Sequence, residues 1–130
     1  MVHFSYAILY VTDVAKSIAF YEKAFGFAKK FVTPDNSYGE LLTGATTLSF
    51  ASVELARSNL KDGFIESSNA NKPFAQEIGF TTDNVEEVYQ NAIRAGAIAE
   101  SPAAYKPHGQ TVAYVRDIDG FLIEICTPMQ

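Results

Sequence analysis

Apolar positions along this chain switch between a period of two and a period of three to four, and the switching pattern occurs twice. Residues 3–12 alternate loosely and are rich in β-branched and aromatic types, which predicts a strand. Tyr6, Ile8 and Tyr10 then share one face, with Ala7, Leu9 and Val11 on the other. From Val14 the spacing changes. Ile18, Tyr21 and Phe25 recur at helical intervals, a one-sided stripe with Asp13 placed to cap its start and Gly26 to end it. Three strands are expected next, at 27–32, 37–43 and 46–52, separated by the turn signal Thr33-Pro34-Asp35-Asn36-Ser37 and by Gly44.

The second series opens with a strand near 75–82. Asn84 and Glu87 form a capping box, and Val88, Ala92 and Ala95 run down the apolar side of a helix that stops at Gly96. A short strand at 97–100 leads into a loop from Pro102 to Gly109. Strands at 110–116 and 120–127 are then joined by Asp117-Ile118-Asp119-Gly120. Val11-Thr12-Asp13-Val14 and its helix thus rhyme with Thr81-Thr82-Asp83-Asn84-Val85 and the helix after it, about half a chain apart. Each half reads strand, helix, then three strands. The polar stretch 54–73, with a short helix at 54–60, connects module 1–53 to module 74–130 within a single domain, 1–130. The expected fold class is α+β: two βαβββ modules forming curved mixed sheets around a cleft. A helix covers one face of each sheet, leaving the other for a partner module, a ligand or a second subunit.

Composition narrows the function. Hydrophobic residues make up 48% of the 130, enough for a core, and ten Phe and seven Tyr supply rings for a pocket or an interface. The net charge of -5, with basic residues scattered, argues against a nucleic-acid partner. No apolar run reaches the ~20 residues that span a bilayer, and the N-terminus lacks the pattern of an export signal, so no membrane partner and a cytoplasmic location are expected. The one cysteine, Cys126, excludes an internal disulfide and reads as a buried, inert thiol.

The segment around Asp13-Val14 with Ser17, Phe20-Tyr21 and Phe25-Gly26-Phe27, and the terminal run Val115-Arg116-Asp117-Ile118-Asp119-Gly120-Phe121-Leu122-Ile123-Glu124, resemble the glyoxalase/bleomycin resistance/extradiol dioxygenase (vicinal oxygen chelate) superfamily. The resemblance covers nearly the whole chain apart from 54–73. It implies paired βαβββ modules, a homodimer and, in the enzymes of the family, a divalent metal held by first-strand and last-strand residues of each module. Carried over position by position, those ligands fall on Tyr6, Glu77, Glu124 and, to within one residue, Ser49. A phenol and a hydroxyl are weak ligands for a hard divalent ion, because a phenol must first lose a proton with a pKa near ~10. No cofactor is therefore favoured. If a divalent metal binds, Glu77 and Glu124 are its ligands.

The residues themselves support a ligand cleft. Glu124 interrupts an apolar strand and shares its face with Leu122 and Cys126, so it points inward and needs a partner or a shifted pKa. Glu77 has the inward phase of Gly79 and Thr81, and two close glutamates can share a proton, hold a metal or accept from NH groups. Tyr6 and Tyr10 offer ring area and hydroxyls. His108 precedes a strand at the cleft mouth, Gln110 and Tyr114 share one phase of that strand, and Ser49 completes the set of ligand-binding candidates. Arg116 is a candidate partner for a neighbouring Asp, and Asp117 and Asp119 read as turn formers. Catalytic residues are not identified. Two classes compete: a metal-independent binder of a small organic molecule, neutral or cationic, engaged in drug or metabolite sequestration, and a metal-dependent lyase or isomerase similar to lactoylglutathione lyase.

Overall fold

The structure is a computed structural model and describes residues 1–129. The chain order is β1 (Tyr6–Val11), α1 (Val14–Phe25), β2 (Ala28–Val32), β3 (Tyr38–Leu42), β4 (Thr47–Ser52), α2 (Val53–Asn59), β5 (Ile78–Thr81), α3 (Val85–Ala95), β6 (Ile98–Tyr105), β7 (Thr111–Arg116) and β8 (Leu122–Cys126). Two compact units result. One comprises Met1–Glu22 with Gly26–Glu66, and the other Lys23–Phe25 with the chain from Ser67 onward.

In the first unit the strand order is β1-β4-β3-β2, with β1 parallel to β4 and the other pairs antiparallel. The Asp13 side chain accepts from the Lys16 amide at 3.2 Å and from Asn36 Nδ2 at 3.0 Å, so α1 is capped and tied to the β2–β3 turn. These bonds, the one from Asn36 foremost, hold the Asp13 carboxyl below its ordinary pKa. Leu9, Val11, Val14, Ile18, Tyr21, Leu41, Leu48 and Phe50 form the core between helix and sheet. Gly39 permits that packing, since a Cβ there would meet Ile18 Cδ1 at 2.5 Å.

The second unit repeats the plan with order β5-β8-β7-β6 and a parallel β5–β8 pair. Asn84 accepts from the Glu87 amide at 3.2 Å, while its own amide donates to Glu87 Oε2 at 3.0 Å, a capping box closed by side chains. The buried stripe of α3 is Val85, Tyr89 and Ala92, rotated from the expected Val88-Ala92-Ala95 line because the Tyr89 ring fills more of the interface. Ala113, Val115, Ile123 and Ile125 complete this core.

Two expectations need correction. Each sheet is an open ladder of four strands, neither closed nor strongly curled, so the curved sheets inferred from the sequence are not present. Four strands are too few to close on themselves, and each sheet instead ends in two free edges. The short strand at 97–100 is in fact the eight-residue β6, which runs through Pro102. β6 is an edge strand with register shifts between Ala99 and Ser101 and between Ser101 and Ala104, where a proline costs no ladder hydrogen bond.

Candidate functional site

The face of the second sheet away from α3 gathers the polar candidates of that unit. Cross-strand pairing sets Gly79 of β5 and Tyr114 of β7 on either side of Glu124 in β8, so their side-chain positions share one face. Glycine at 79 leaves open space above the strand, with no heavy atom within 4 Å of where a Cβ would be. Glu77, one residue before β5, is exposed as a residue, yet its carboxyl interacts with that of Glu124. Tyr114 Oη donates to Glu124 Oε1 at 2.9 Å.

Two carboxyls this close do not both ionise easily. Burial, the hydrogen bond with Glu124 and the charge of Glu124 raise the Glu77 pKa. Burial acts to raise Glu124 too, but hydrogen bonds from Glu77, Cys126 and Tyr114 and the nearby His108 outweigh it and hold Glu124 low. The pair titrates as a unit, Glu124 losing its proton first and Glu77 only at higher pH. The same environment, burial first and the Glu124 charge after it, pushes the Tyr114 phenol up to about 12 and the Cys126 thiol up to about 11. Both remain protonated donors at neutral pH. Cys126 is buried and free, and its raised pKa makes it a poor nucleophile.

His108 and Gln110 form the border of this cluster. Gln110 Nε2 donates to the Thr127 carbonyl at 2.7 Å, leaving its Oε1 to accept from His108 Nε2 at 2.6 Å. A recess of about 10 Å³ is lined by Glu77 with Phe74, Gln76, Ile78, Phe121 and Leu122, room for about one water molecule.

Tyr6, Tyr10 and Ser49 lie in the first unit, on the face of β1 and β4 opposite α1. Tyr10 packs on Phe64 with ring centroids 4.8 Å apart, and Arg57 stands 5.8 Å from the same Phe64 ring. Ser49 is buried next to Tyr38 and Glu40. Neither Tyr38 nor Glu40 was among the sequence candidates. The signal was available, because Tyr38, Glu40 and Leu42 share one phase of a strand just as Leu122, Glu124 and Cys126 do. Glu40 is 7% exposed and its Oε2 accepts from the Tyr38 hydroxyl at 2.7 Å. Among the described residues, no group of three or more His, Cys, Asp or Glu side chains is gathered as a metal site requires, and no helix is long and apolar enough to cross a membrane.

The chain matches the Glyoxalase/Bleomycin resistance protein/Dioxygenase superfamily over residues 2–125 and belongs to that family. Its fold is shared with a glyoxalase-related enzyme from Fulvimarina pelagi (TM-score 0.83, 21% identity, 98% of this chain and 89% of that one). A family enzyme from Burkholderia phytofirmans PsJN is similar at TM-score 0.82 and 23% identity, covering 97% and 98% of the two chains. A hypothetical protein from S. aureus gives 0.80 and 20%, covering 98% and 94%. No curated protein matches the chain.

Proposed function

We propose that the protein binds a small organic molecule, neutral or cationic, without a metal ion, and that it acts as a cytoplasmic homodimer in drug or metabolite sequestration. The observation that carries this reading is the Tyr114 hydroxyl donating to Glu124 at 2.9 Å, on a face where the Glu77 carboxyl interacts with that of Glu124. Oxygens engaged in this way suit a ligand that brings NH groups. They fit a divalent ion poorly, because two carboxylates and a neutral phenol leave it short of protein ligands. Phe74 and Phe121, with ring centroids 6.2 Å apart beside Glu77, offer aromatic surface to a cationic head group. Tyr6, Ile8 and Leu42, each about half exposed, support a second subunit covering the first sheet.

Native mass spectrometry of untagged protein purified without added metal tests both parts. The expected species is a dimer carrying substoichiometric transition metal. A stoichiometric ion lost in Glu124→Gln would instead assign the protein to the metal-dependent lyase class.

Ligand charge is tested by titrating benzylamine, a cation at neutral pH. Because the pKa of Glu77 is raised, its carboxyl gains a negative charge only as pH rises through that raised value, so benzylamine affinity is expected to rise over the same interval. Glu77→Gln removes this rise and weakens binding about tenfold at its upper end, roughly the value of one charge-assisted hydrogen bond. Stability runs the other way for this group. A raised folded pKa contributes stability that is full below the ordinary glutamate value and is lost as pH climbs through the raised one. Calorimetry across pH checks the binding, and unchanged affinity in Glu77→Gln would exclude the pair as the cation site.

A further inference from the structure

The second unit has a recess beside α3 that the Glu77–Glu124 reading does not use. This unit includes the last turn of α1, Lys23–Phe25, and the Phe25 ring docks on Phe80 of β5 with centroids 4.9 Å apart. Phe80 and Gly79 alternate along β5, so the contact falls on the face opposite the one that Gly79 shares with Glu124. Lys23, Asn91, Arg94 and Ala95 line a recess of about 350 Å³. That is within the range of small-molecule sites, about 300–1,000 Å³. Lys23 and Arg94 are exposed, and Asn91 and Ala95 are half-buried.

The side chains around this recess offer donors alone. An Arg94 terminal nitrogen donates to Asn91 Oδ1, which engages the one side-chain acceptor of the lining and leaves the Asn91 Nδ2 hydrogens to donate. Arg94 keeps most of its N–H donors, and Lys23 keeps all of its own. Among the described residues neither base forms an ion pair, although the chain has 15 acidic residues. Each base stands in the last turn of its helix, where it also complements the helix dipole. The dipole accounts for each base separately, not for their convergence on one recess with no free side-chain acceptor. The carbonyls of Glu22, Ala92 and Ile93 at these helix ends accept from the capping glycine amides, which reduces their repulsion of an anion.

We propose that Lys23, Asn91 and Arg94 form a binding site for a phosphate dianion, free or as the terminal group of a small monoester. The Arg94 guanidinium and Asn91 Nδ2 donate to phosphate oxygens, and the Lys23 ammonium matches the remaining charge. A phosphate group carries about -1.5 to -2 near neutral pH, which two bases balance. A cation is repelled, and a neutral polyol finds no side-chain acceptor for its own hydroxyl protons. A singly charged anion leaves one base unmatched. The site goes beyond the cation-binding reading of the opposite face and does not rest on it.

The test is an amide-resolved NMR titration of the full chain with inorganic phosphate and phenyl phosphate, using benzenesulfonate as the singly charged analogue. Both phosphates are expected to shift signals of residues 23–26 and 91–96 saturably, with benzenesulfonate about fivefold weaker or worse than phenyl phosphate. Lys23→Ala and Arg94→Ala are each expected to weaken the phosphates about tenfold, roughly one charge-assisted hydrogen bond. Both are exposed helical positions where alanine is well tolerated, so the Tm is expected to stay within about 2 °C. Tighter binding of phenyl phosphate than of inorganic phosphate supports a monoester, and equal affinities support the free ion. Three results overturn the proposal: no saturable phosphate shifts in those segments, unchanged phosphate affinity in either variant, or benzenesulfonate binding as tightly as phenyl phosphate. Benzylamine followed at residues 122–126 reports the opposite face separately, so failure of one site is distinguishable from failure of the other.

Discussion

Gly120→Ala is expected to destabilise the protein by about 2–5 kcal/mol, the sum of a left-handed backbone penalty and an overpacking cost. Gly120 closes the β7–β8 hairpin at φ +93°, a region that side chains rarely occupy. A Cβ there would lie 2.6 Å from the Ser68 carbonyl carbon and 2.9 Å from the Asn69 nitrogen. These are backbone atoms of the segment lying over the turn, and they cannot swing aside as a flexible side chain can. Gly26 provides the control. It is also left-handed, at φ +76°, but nothing lies within 4 Å of its added Cβ, so Gly26→Ala carries the backbone penalty alone, about 1–2 kcal/mol. Urea denaturation of the two variants measures the difference. Equal losses would show that residues 68–69 move away at no cost. The effect reaches the site because the same turn sets the β7–β8 register that pairs Tyr114 with Glu124.

Most of the secondary structure is legible because local chemistry and tertiary packing agree. The caps at Asp13 and Asn84 and the left-handed glycines at 26 and 96 mark both long helices to within a residue. Legibility fails where packing decides. The buried stripe of α3 turns toward Tyr89, and β6 continues through Pro102, because an edge strand tolerates a proline that a central strand does not. Sheet curvature has no sequence period of its own, and family resemblance supplied it wrongly.

The candidate site divides along the same line. Glu124 is visible as a carboxylate inside an apolar strand, and its partner Tyr114 follows from strand phase. Glu40 carries the same phase signal, shared with Tyr38 and Leu42 in the five-residue β3, but its neighbour across the sheet does not follow from sequence. Only the pairing of β3 with β4 puts it beside Ser49. Arg116, adjacent to Asp117 in sequence, reads as half of an ion pair, whereas its guanidinium is used on backbone carbonyls well removed along the chain.

Arg116→Ala is the second large loss, expected at about 3 kcal/mol or more, since each buried carbonyl left unpaired costs about 1–3 kcal/mol. Arg116 is 6% exposed. Its Nε and one terminal nitrogen donate to the Gly120 carbonyl at 3.0 and 2.9 Å, and the terminal nitrogens also reach Asn71 O at 2.6 Å and Ser68 O at 3.0 Å. One planar fork therefore clamps the 68–71 segment onto the hairpin, over the same contact that Gly120 requires to be tight. Asn69 Nδ2 adds a bond to the Asp117 carbonyl at 2.9 Å. Arg116→Lys keeps the charge but has no fork, so it is expected to recover less than half of the loss. Because the two positions grip one segment, the Gly120→Ala and Arg116→Ala effects are expected to sum to more than the double variant loses. Once the clamp is released, the clash at 120 can relax. Denaturation of the three variants, with hydrogen exchange followed over 67–73, reads this coupling. Strict additivity, or an Arg116→Ala loss no larger than that of the exposed Arg94→Ala, would refute the clamp.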